Sequence, residues 1–285
     1  MMSTHPSADD EHVAIDLPAW PSSSVAAVML TFDVDADASM RDVAGRPTTT
    51  NRSALSDGRY GAVRGLGRIL DLLGSAGVPG TFFVPAITAQ RYPDAIRRIV
   101  AEGHEIGHHG FSHREPATLS DQEQVEEIAR GLDALRTITG ADVVGYRSPA
   151  WQLSDTTLAA LLDHGFVYDS SCMGDDRPYY EQVGDRRLLV LPPHWSLDDW
   201  PYFGFRGGEG ALSDPDVVAR TWRAELDNVV AERRTAVFTM HPEVIGRAYR
   251  MPVLADLIAA AREHGNVWIA RAQQVAAHVQ AVATP

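Results

Sequence analysis

The 285-residue chain is poor in cysteine, in basic residues and in long apolar runs. Its single cysteine, Cys172, excludes an intrachain disulfide and any zinc cluster built on thiolates. That lone residue reads as an inert small side chain rather than a reactive thiol. Only 25 basic residues stand against 38 acidic ones, for a net charge of −13. No basic stripe exists to neutralise phosphates, which excludes nucleic acid as a partner and weighs against strongly acidic polymers as substrates. The apolar run at residues 25–30 is too short to cross a bilayer and leads directly into acids. Residues 1–24 show no basic segment followed by an apolar one, so the expected location is cytoplasmic, with no membrane partner.

What the chain does contain is a hydrophobic fraction of 45%, enough to bury a full core. Residues 28–37 are its most informative stretch: an apolar, β-prone run ending in acids at alternate positions, Asp33, Asp35 and Asp37. Residues two apart on a strand project from the same face. Asp33 and Asp35 would therefore emerge side by side at the strand end where α/β proteins place their chemistry. Two carboxylates held together repel unless one is protonated or a cation lies between them. A metal-dependent acid/base site is the first expectation.

Strand-like stretches at 26–32, 78–84, 105–108, 143–146, 188–191, 236–240 and 267–270 alternate with helix-like ones. Helices are expected over 62–73, 92–102, 120–139, 154–162, 215–233, 252–263 and 273–282. Ser120 with Glu123 has the spacing of a capping box. Residues 37–60 are polar, with Gly, Pro and a Thr-Thr-Thr-Asn tract, and read as a long loop over the active face. Strand followed by helix, about seven times over, implies a parallel sheet with right-handed crossovers, close to the count of a (β/α) barrel. The expected organisation is an N-terminal extension at 1–24 and one α/β barrel domain over 25–285.

Polar residues fall at the strand ends of this scaffold: Asp33 and Asp35, then His109 and His113, then Arg147, then His241. All would converge on one mouth of a barrel. His104, His108, His109 and His113 contain two i, i+4 pairs. The first pair lies in a strand-like stretch and suits packing, whereas His109 and His113 bracket Gly-Phe-Ser and can both face one ion. Two imidazoles and one carboxylate with an open position make a usual catalytic zinc set. Against this stand structural readings, in which Arg147 forms an ordinary ion pair and His241 packs at a strand end.

Thr31-Phe32-Asp33-Val34-Asp35, Gly107-His108-His109-Gly110-Phe111-Ser112-His113, Arg147-Ser148-Pro149, Asp199-Trp200 and Met240-His241-Pro242 resemble, in order, five motifs of the polysaccharide deacetylase (NodB-homology) superfamily. The likeness spans about residues 25–270. It implies a distorted (β/α) barrel with about seven strands and a hydrolase acting on non-peptide carbon–nitrogen bonds. By the same resemblance Asp33 matches the general base, and Asp35, His109 and His113 the ligands of a divalent metal, Zn²⁺ first. Arg147 matches the arginine that tethers the base, His241 the catalytic acid, and Asp199 the aspartate that orients that acid. Trp200 would line the pocket.

The departures carry information. Val34 separates aspartates that glycan deacetylases usually place adjacently, and Ala150 then Trp151 stand where Tyr commonly follows the Arg-x-Pro segment. The Phe-Asp-Val-Asp start, the Leu-Asp-Asp-Trp-Pro block and the His-Pro-Glu-Val-Ile-Gly-Arg end are similar to a cytoplasmic branch. That branch includes peptidoglycan-deacetylase-like proteins, cyclic imidases and metal-free allantoinase-like enzymes. Retention of His109 and His113 favours its metal-dependent members. The expected substrate is a small N-acetylated sugar, amide, ureide or cyclic imide in a closed pocket. A metal-free cyclic amidohydrolase and an inactive binding protein on the same scaffold are the other readings.

Trp151, Trp195, Trp200, Tyr202, Phe203 and Phe205 are candidates to stack on the substrate, with Trp151 and Trp200 foremost. Glu243, Arg247 and Arg250 would contact substrate or a neighbouring subunit. The branch resemblance also implies a homo-oligomer, with a tetramer as the candidate assembly.

Overall fold

The computed structural model describes residues 12–15, 20–205 and 210–282. Residues 1–11 and 16–19 of the expected N-terminal extension lie outside them. The described chain begins with β1 (His12–Ala14) and then the long strand β2 (Ala26–Asp33), buried throughout. Next come α1 (Arg52–Tyr60), a π-helical turn at Gly61–Gly65, and α2 (Leu66–Ala76). β3 (Thr81–Val84), α3 (Ala86–Arg91), α4 (Pro93–Ala101), β4 (Glu105–His108) and the long α5 (Asp121–Thr139) follow. β5 (Gly145–Tyr146), α6 (Asp155–Asp163) and β6 (Tyr168–Asp169) lead to a hairpin of β7 (Tyr179–Val183) and β8 (Arg186–Val190). The rest is α7 (Trp200–Phe203), α8 (Pro215–Glu232), β9 (Thr235–Met240), α9 (Met251–Glu263), β10 (Val267–Ile269) and α10 (Ala272–Val282).

All ten strands belong to one sheet. β9, β2, β3, β4, β5, β6 and β8 run parallel in that order and curl into a distorted barrel with helices outside, as the strand–helix alternation predicts. β10 pairs with the first half of β2, along the edge whose second half pairs with β3. β7 and then β1 extend the sheet antiparallel beyond β8. Between β8 and β9 the ladder is interrupted. There a single bridge, Asp198 to Thr239, joins the chain after β8 to β9, with Asp199 N–H donating to Thr239 O at 3.0 Å.

The side-chain period of two explains the two cores. Ala26, Val28, Leu30 and Phe32 of β2 face the helices, in a cluster with Leu66, Leu70, Leu132, Trp222 and Leu254. Ala27 and Met29 face the barrel interior with Phe83, Tyr168, Leu189 and Val237. Val275 and Val279 of α10, with Trp20, close the interior at the N-terminal ends of the strands. The apolar filling stops at Thr31, so Thr31 and Asp33 continue the inward face at the open end. At the closed end, buried Glu105 accepts from Thr81 Oγ1 at 2.8 Å, Tyr168 OH at 2.7 Å and Gln273 N–H at 3.0 Å, tying α10 to the barrel.

Ser120 and Glu123 form the expected capping box, and Gly140 ends that helix in the left-handed region with φ 66°. The long loop expected over 37–60 is corrected. Asp37 is buried, its carboxylate accepting from Arg41 Nε at 2.9 Å and Tyr92 OH at 3.2 Å, and Arg52–Tyr60 is helical. Its polar residues, the Thr-Thr-Thr-Asn tract, Pro47 and glycines such as Gly58 made this stretch read as loop, because glycine lowers helix propensity. Contact requires glycine here instead. A Cβ on Gly65 would lie 1.9 Å from the carbonyl oxygen of Pro242, next to His241.

Gly65→Ala should therefore push the helix off the segment that follows His241. We expect a stability loss of ~1–3 kcal/mol in urea unfolding, the usual cost of overpacking. Unchanged stability would show that the close approach is not required.

Candidate active site

The C-terminal end of the barrel collects the polar side chains. Asp33 ends β2 and Arg147 follows β5. The Arg147 guanidinium is fully buried and donates from Nη1 to Asp33 Oδ1 at 2.7 Å and to Thr31 Oγ1 at 2.9 Å. Its Nε and Nη2 donate to the backbone oxygen and to Oγ of Ser170, each at 3.0 Å. The plane lies over the Phe83 ring at 4.2 Å.

Asp35, His109 and His113 converge, with one potential ligand atom from each within 4.8 Å of the others. His109 Nε2 lies 3.4 Å from Asp35 Oδ1, and His113 Nε2 3.2 Å from Asp35 Oδ2. His109 Nδ1–H donates to the Arg147 carbonyl at 2.7 Å, so the Nε2 lone pair points at Asp35. Asp35 Oδ1 is buried without a hydrogen-bond partner. Two acceptors thus face each other in a buried site, the arrangement that a cation resolves. Burial alone would raise the Asp35 carboxyl, but His113, then His109 and His241, hold it far below the usual range. Burial lowers His109 despite Asp33 and Asp35, and Asp35 outweighs burial to raise His113.

The turn carrying these histidines is clamped from behind. Phe111 N–H and Ser112 N–H donate to Glu127 Oε2 at 2.9 and 2.8 Å, and Ser112 Oγ to Oε1 at 2.6 Å. His113 sits in the left-handed region at φ 62°, as do Ala36, Ala150 and Trp151 around the same mouth. Such strain recurs at functional sites, where the surroundings over-determine the backbone. His108 is structural, as its strand position suggested: Nε2–H donates to Ile128 O at 3.1 Å and Nδ1 accepts from Gly110 N–H at 3.0 Å. Burial lowers it to about 3, so it stays neutral.

On the opposite wall His241 Nδ1–H donates to Asp199 Oδ1 at 2.7 Å. Asp199 Oδ2 accepts the backbone N–H of His241 and of Ile245, both at 3.0 Å. Burial opposes the charged imidazole, but the Asp199 carboxylate overcomes it and raises His241 well above its ordinary value. His241 Nε2 is 3.9 Å from Asp35 Oδ2. Asp198, which sequence reasoning did not single out, lies 3.7 Å from His241 Nδ1. Burial pushes Asp198 up to about 7, with His241 pulling down and Asp199 pushing up. Its adjacency to Asp199 in the Leu-Asp-Asp-Trp block was the available signal. Glu127 gave none, because it lies inside a helix with acids on several faces.

Asp33, Asp35, His109, His113, Asp198 and His241 line one cavity of about 360 Å³ together with Trp151, Trp195, Trp200, Glu115 and Ser39, with Arg147 and Asp199 outside its lining. Trp151 and Trp195 pack at 4.1 Å between centroids, and Trp200 meets the His241 ring edge-on at 5.2 Å. Tyr202, Phe203 and Phe205 do not line it. Phe203 and Phe205, with Glu243, Arg247 and Arg250, line a separate cavity beyond Trp200. Arg247 stacks over the Tyr60 ring at 3.6 Å and pairs with Asp57. Among the described residues no helix is long and apolar enough to cross a membrane.

The chain is similar in sequence and fold to known proteins. The polysaccharide deacetylase family model matches residues 56–168. A peptidoglycan deacetylase of Helicobacter pylori is 27% identical, covering 85% of this chain and 93% of its own length. A crystal structure provisionally named as a polysaccharide deacetylase from Mycobacterium smegmatis superposes with a TM-score of 0.87 at 37% identity, over 94% of this chain and 96% of that one. The Puue allantoinase structure superposes with a TM-score of 0.83 at 25% identity, over 93% and 94% of the two chains. With its barrel and most of its length shared in this way, the chain belongs to the polysaccharide deacetylase family, hydrolases of carbon–nitrogen bonds other than peptide bonds.

Proposed function

We propose that this protein is a divalent-metal-dependent hydrolase of an amide bond in a small neutral molecule. The unpartnered, buried Asp35 Oδ1 opposite the His109 lone pair carries the reading. Asp35, His109 and His113 would hold the ion, Zn²⁺ by the preference of two imidazoles and a carboxylate. Such an ion polarises an amide carbonyl and acidifies water. Asp33, 3.9 Å from His109 Nε2 and paired to Arg147, accepts the proton of the attacking water. Arg147 neutralises Asp33 without occupying the cavity, because its remaining donors are committed to Thr31 and Ser170. His241, charged through Asp199, faces the same space and donates a proton to the departing nitrogen. Trp151, Trp195 and Trp200 provide flat apolar walls that exclude water and suit a sugar face or a planar imide.

A cavity of about 360 Å³ is at the small end of ligand sites and suits one ring rather than a polymer. The substrate class is therefore a small N-acetylated sugar, amide, ureide or cyclic imide. Likeness to a peptidoglycan deacetylase supports an acetylated amino sugar as the reacting group and likeness to an allantoinase supports a ureide, while the cavity limits the size. The net charge of −13 disfavours anionic substrates.

Elemental analysis should find one divalent ion per chain, and chelation should abolish turnover of a panel of such small amides. Full activity in chelator without bound metal would instead establish a metal-free cyclic amidohydrolase. Asp33→Asn should keep the metal and lose ~10²–10⁴-fold in kcat, the scale of a general base. Near wild-type turnover on an unactivated amide would remove Asp33 from that role.

A pH profile tests the acid. With His241 raised by Asp199, its protonated form persists above its ordinary range, and kcat falls only as alkali removes that proton. Asp199→Asn removes the opposing charge, so the alkaline limb should move to lower pH. An unmoved limb would assign the acid elsewhere.

A further inference from the structure

Next to the acid histidine stands a second carboxylate that the mechanism does not use. Asp199 spends both oxygens, on the His241 imidazole and on two backbone N–H groups. Asp198 spends one: its Oδ1 accepts Trp200 N–H at 2.7 Å. Its Oδ2 has no hydrogen-bond partner among the described residues. The side chain is 3% exposed, yet it lines the catalytic cavity. Oδ2 opens only to the cavity, so a substrate that fills the cavity either supplies a donor to it or leaves it unpaired. The bridge from Asp198 to Thr239 fixes its backbone at the barrel seam, so it cannot turn to solvent.

Its position defines which part of the substrate it meets. His241 serves the leaving nitrogen, and Asp198 Oδ1 is 3.7 Å from His241 Nδ1. Asp198 and His241 thus line the same side of the cavity, so a group reaching Asp198 Oδ2 lies on the side that the mechanism gives to the leaving nitrogen. On this basis we propose that Asp198 determines specificity by accepting a hydrogen bond from a hydroxyl or N–H of the substrate next to its leaving nitrogen. The inference rests on the hydrolase reading above and narrows its substrate class. An acetylated amino sugar offers such a donor as its neighbouring hydroxyl, and a cyclic ureide as its second ring N–H. A simple N-alkyl amide offers none. Sites built around a buried acceptor reject analogues that lack the donor, because the acceptor is then left unpaired.

The test uses the full-length, metal-loaded protein at pH 8 with two matched pairs of probes. These are N-acetylglucosamine with its 3-deoxy analogue, and hydantoin with its 1-methyl derivative. Wild type should prefer the parent of one pair by ~10–100-fold in kcat/KM, the scale of one buried hydrogen bond, and Asp198→Ala should erase that preference, bringing parent and analogue to a common level. Asp198→Asn tells the two sources apart. It still accepts from Trp200 N–H but turns an NH₂ group to the cavity. A substrate hydroxyl can accept from that group and keep part of the preference. A ring N–H meets another donor, so Asn should be as poor as Ala.

Equal loss on parent and analogue in the variants would reduce Asp198 to a support of His241 and overturn the proposal while leaving the hydrolase reading intact. Absence of any preference in active wild type would do the same. Calorimetric binding of the four probes separates the remaining cases. Binding that discriminates through Asp198 without turnover sinks the hydrolase reading and keeps this one. Neither binding preference nor turnover sinks both.

Discussion

The buried guanidinium of Arg147 is the interaction on which the rest of the site depends. A charge with no solvent exposure persists only if nearly every donor is matched, since an unpaired buried ion costs several kcal/mol. Here the matching is distributed over three strand ends: Thr31 and Asp33 from β2, and the backbone and hydroxyl of Ser170 after β6. Arg147 itself follows β5, and its carbonyl fixes the tautomer of His109. One residue therefore sets the position of Asp33, the orientation of a histidine beside Asp35 and the spacing of the barrel mouth. Ser170 passes the constraint on, because its hydroxyl also donates to Leu191 O at 2.8 Å.

The opposite wall is placed by a different device. The barrel does not close by a continuous ladder between β8 and β9, and the single bridge at Thr239 leaves the Asp198–Asp199 pair beside the end of β9. His241 follows that strand directly. An ordinary closed ladder would bury both backbones in regular pairing and leave no room for two adjacent carboxylates to turn toward the mouth. The interruption of the sheet is thus what positions His241, Asp199 and Asp198. Gly65 contributes from outside, allowing a helix to press on Pro242 and hold the segment after His241.

Sequence patterns revealed those parts of the protein that depend on local rules. The alternation in β2 placed Asp33 and Asp35 correctly at one end, and the capping box at Ser120 and the glycine stop at Gly140 set α5. Both histidine pairs have the same spacing, and it was the strand-like placement of His108 that set it apart from His109 and His113; its two ring nitrogens are satisfied by Ile128 and Gly110. What escaped depends on contacts distant in sequence. α1 is rich in polar residues and contains Gly58, which serves packing against Ala36, so its pattern mimics a loop. β6 is too short to show a period, at two residues. Glu127 clamps the histidine turn from a helix on which nothing local marks it. Phe203 and Phe205 share the aromatic run with Trp200 but face a different cavity, a distinction that composition cannot make.

Pairing the charges of the mouth shows why the site is organised around Asp35. Asp33 is matched by Arg147 at 2.7 Å, and Asp199 by His241 at 2.7 Å. Asp198 is pushed up to about 7 by burial, so near neutrality its proton partly relieves its charge. Asp35 is different. Its carboxylate is held in the anionic form, yet His109 presents a lone pair to it rather than a proton, and Oδ1 is left without a donor. Moving a proton onto His109 would break the hydrogen bond pattern only slightly, but burial disfavours it. His113, raised by Asp35 and 3.2 Å from Oδ2, answers one oxygen. Oδ1 and the His109 lone pair remain two acceptors without a donor, with Asp33 and His241 each 3.9 Å from this set. A cation placed there would answer the Asp35 carboxylate and the His109 lone pair together, without the charged imidazole that burial disfavours.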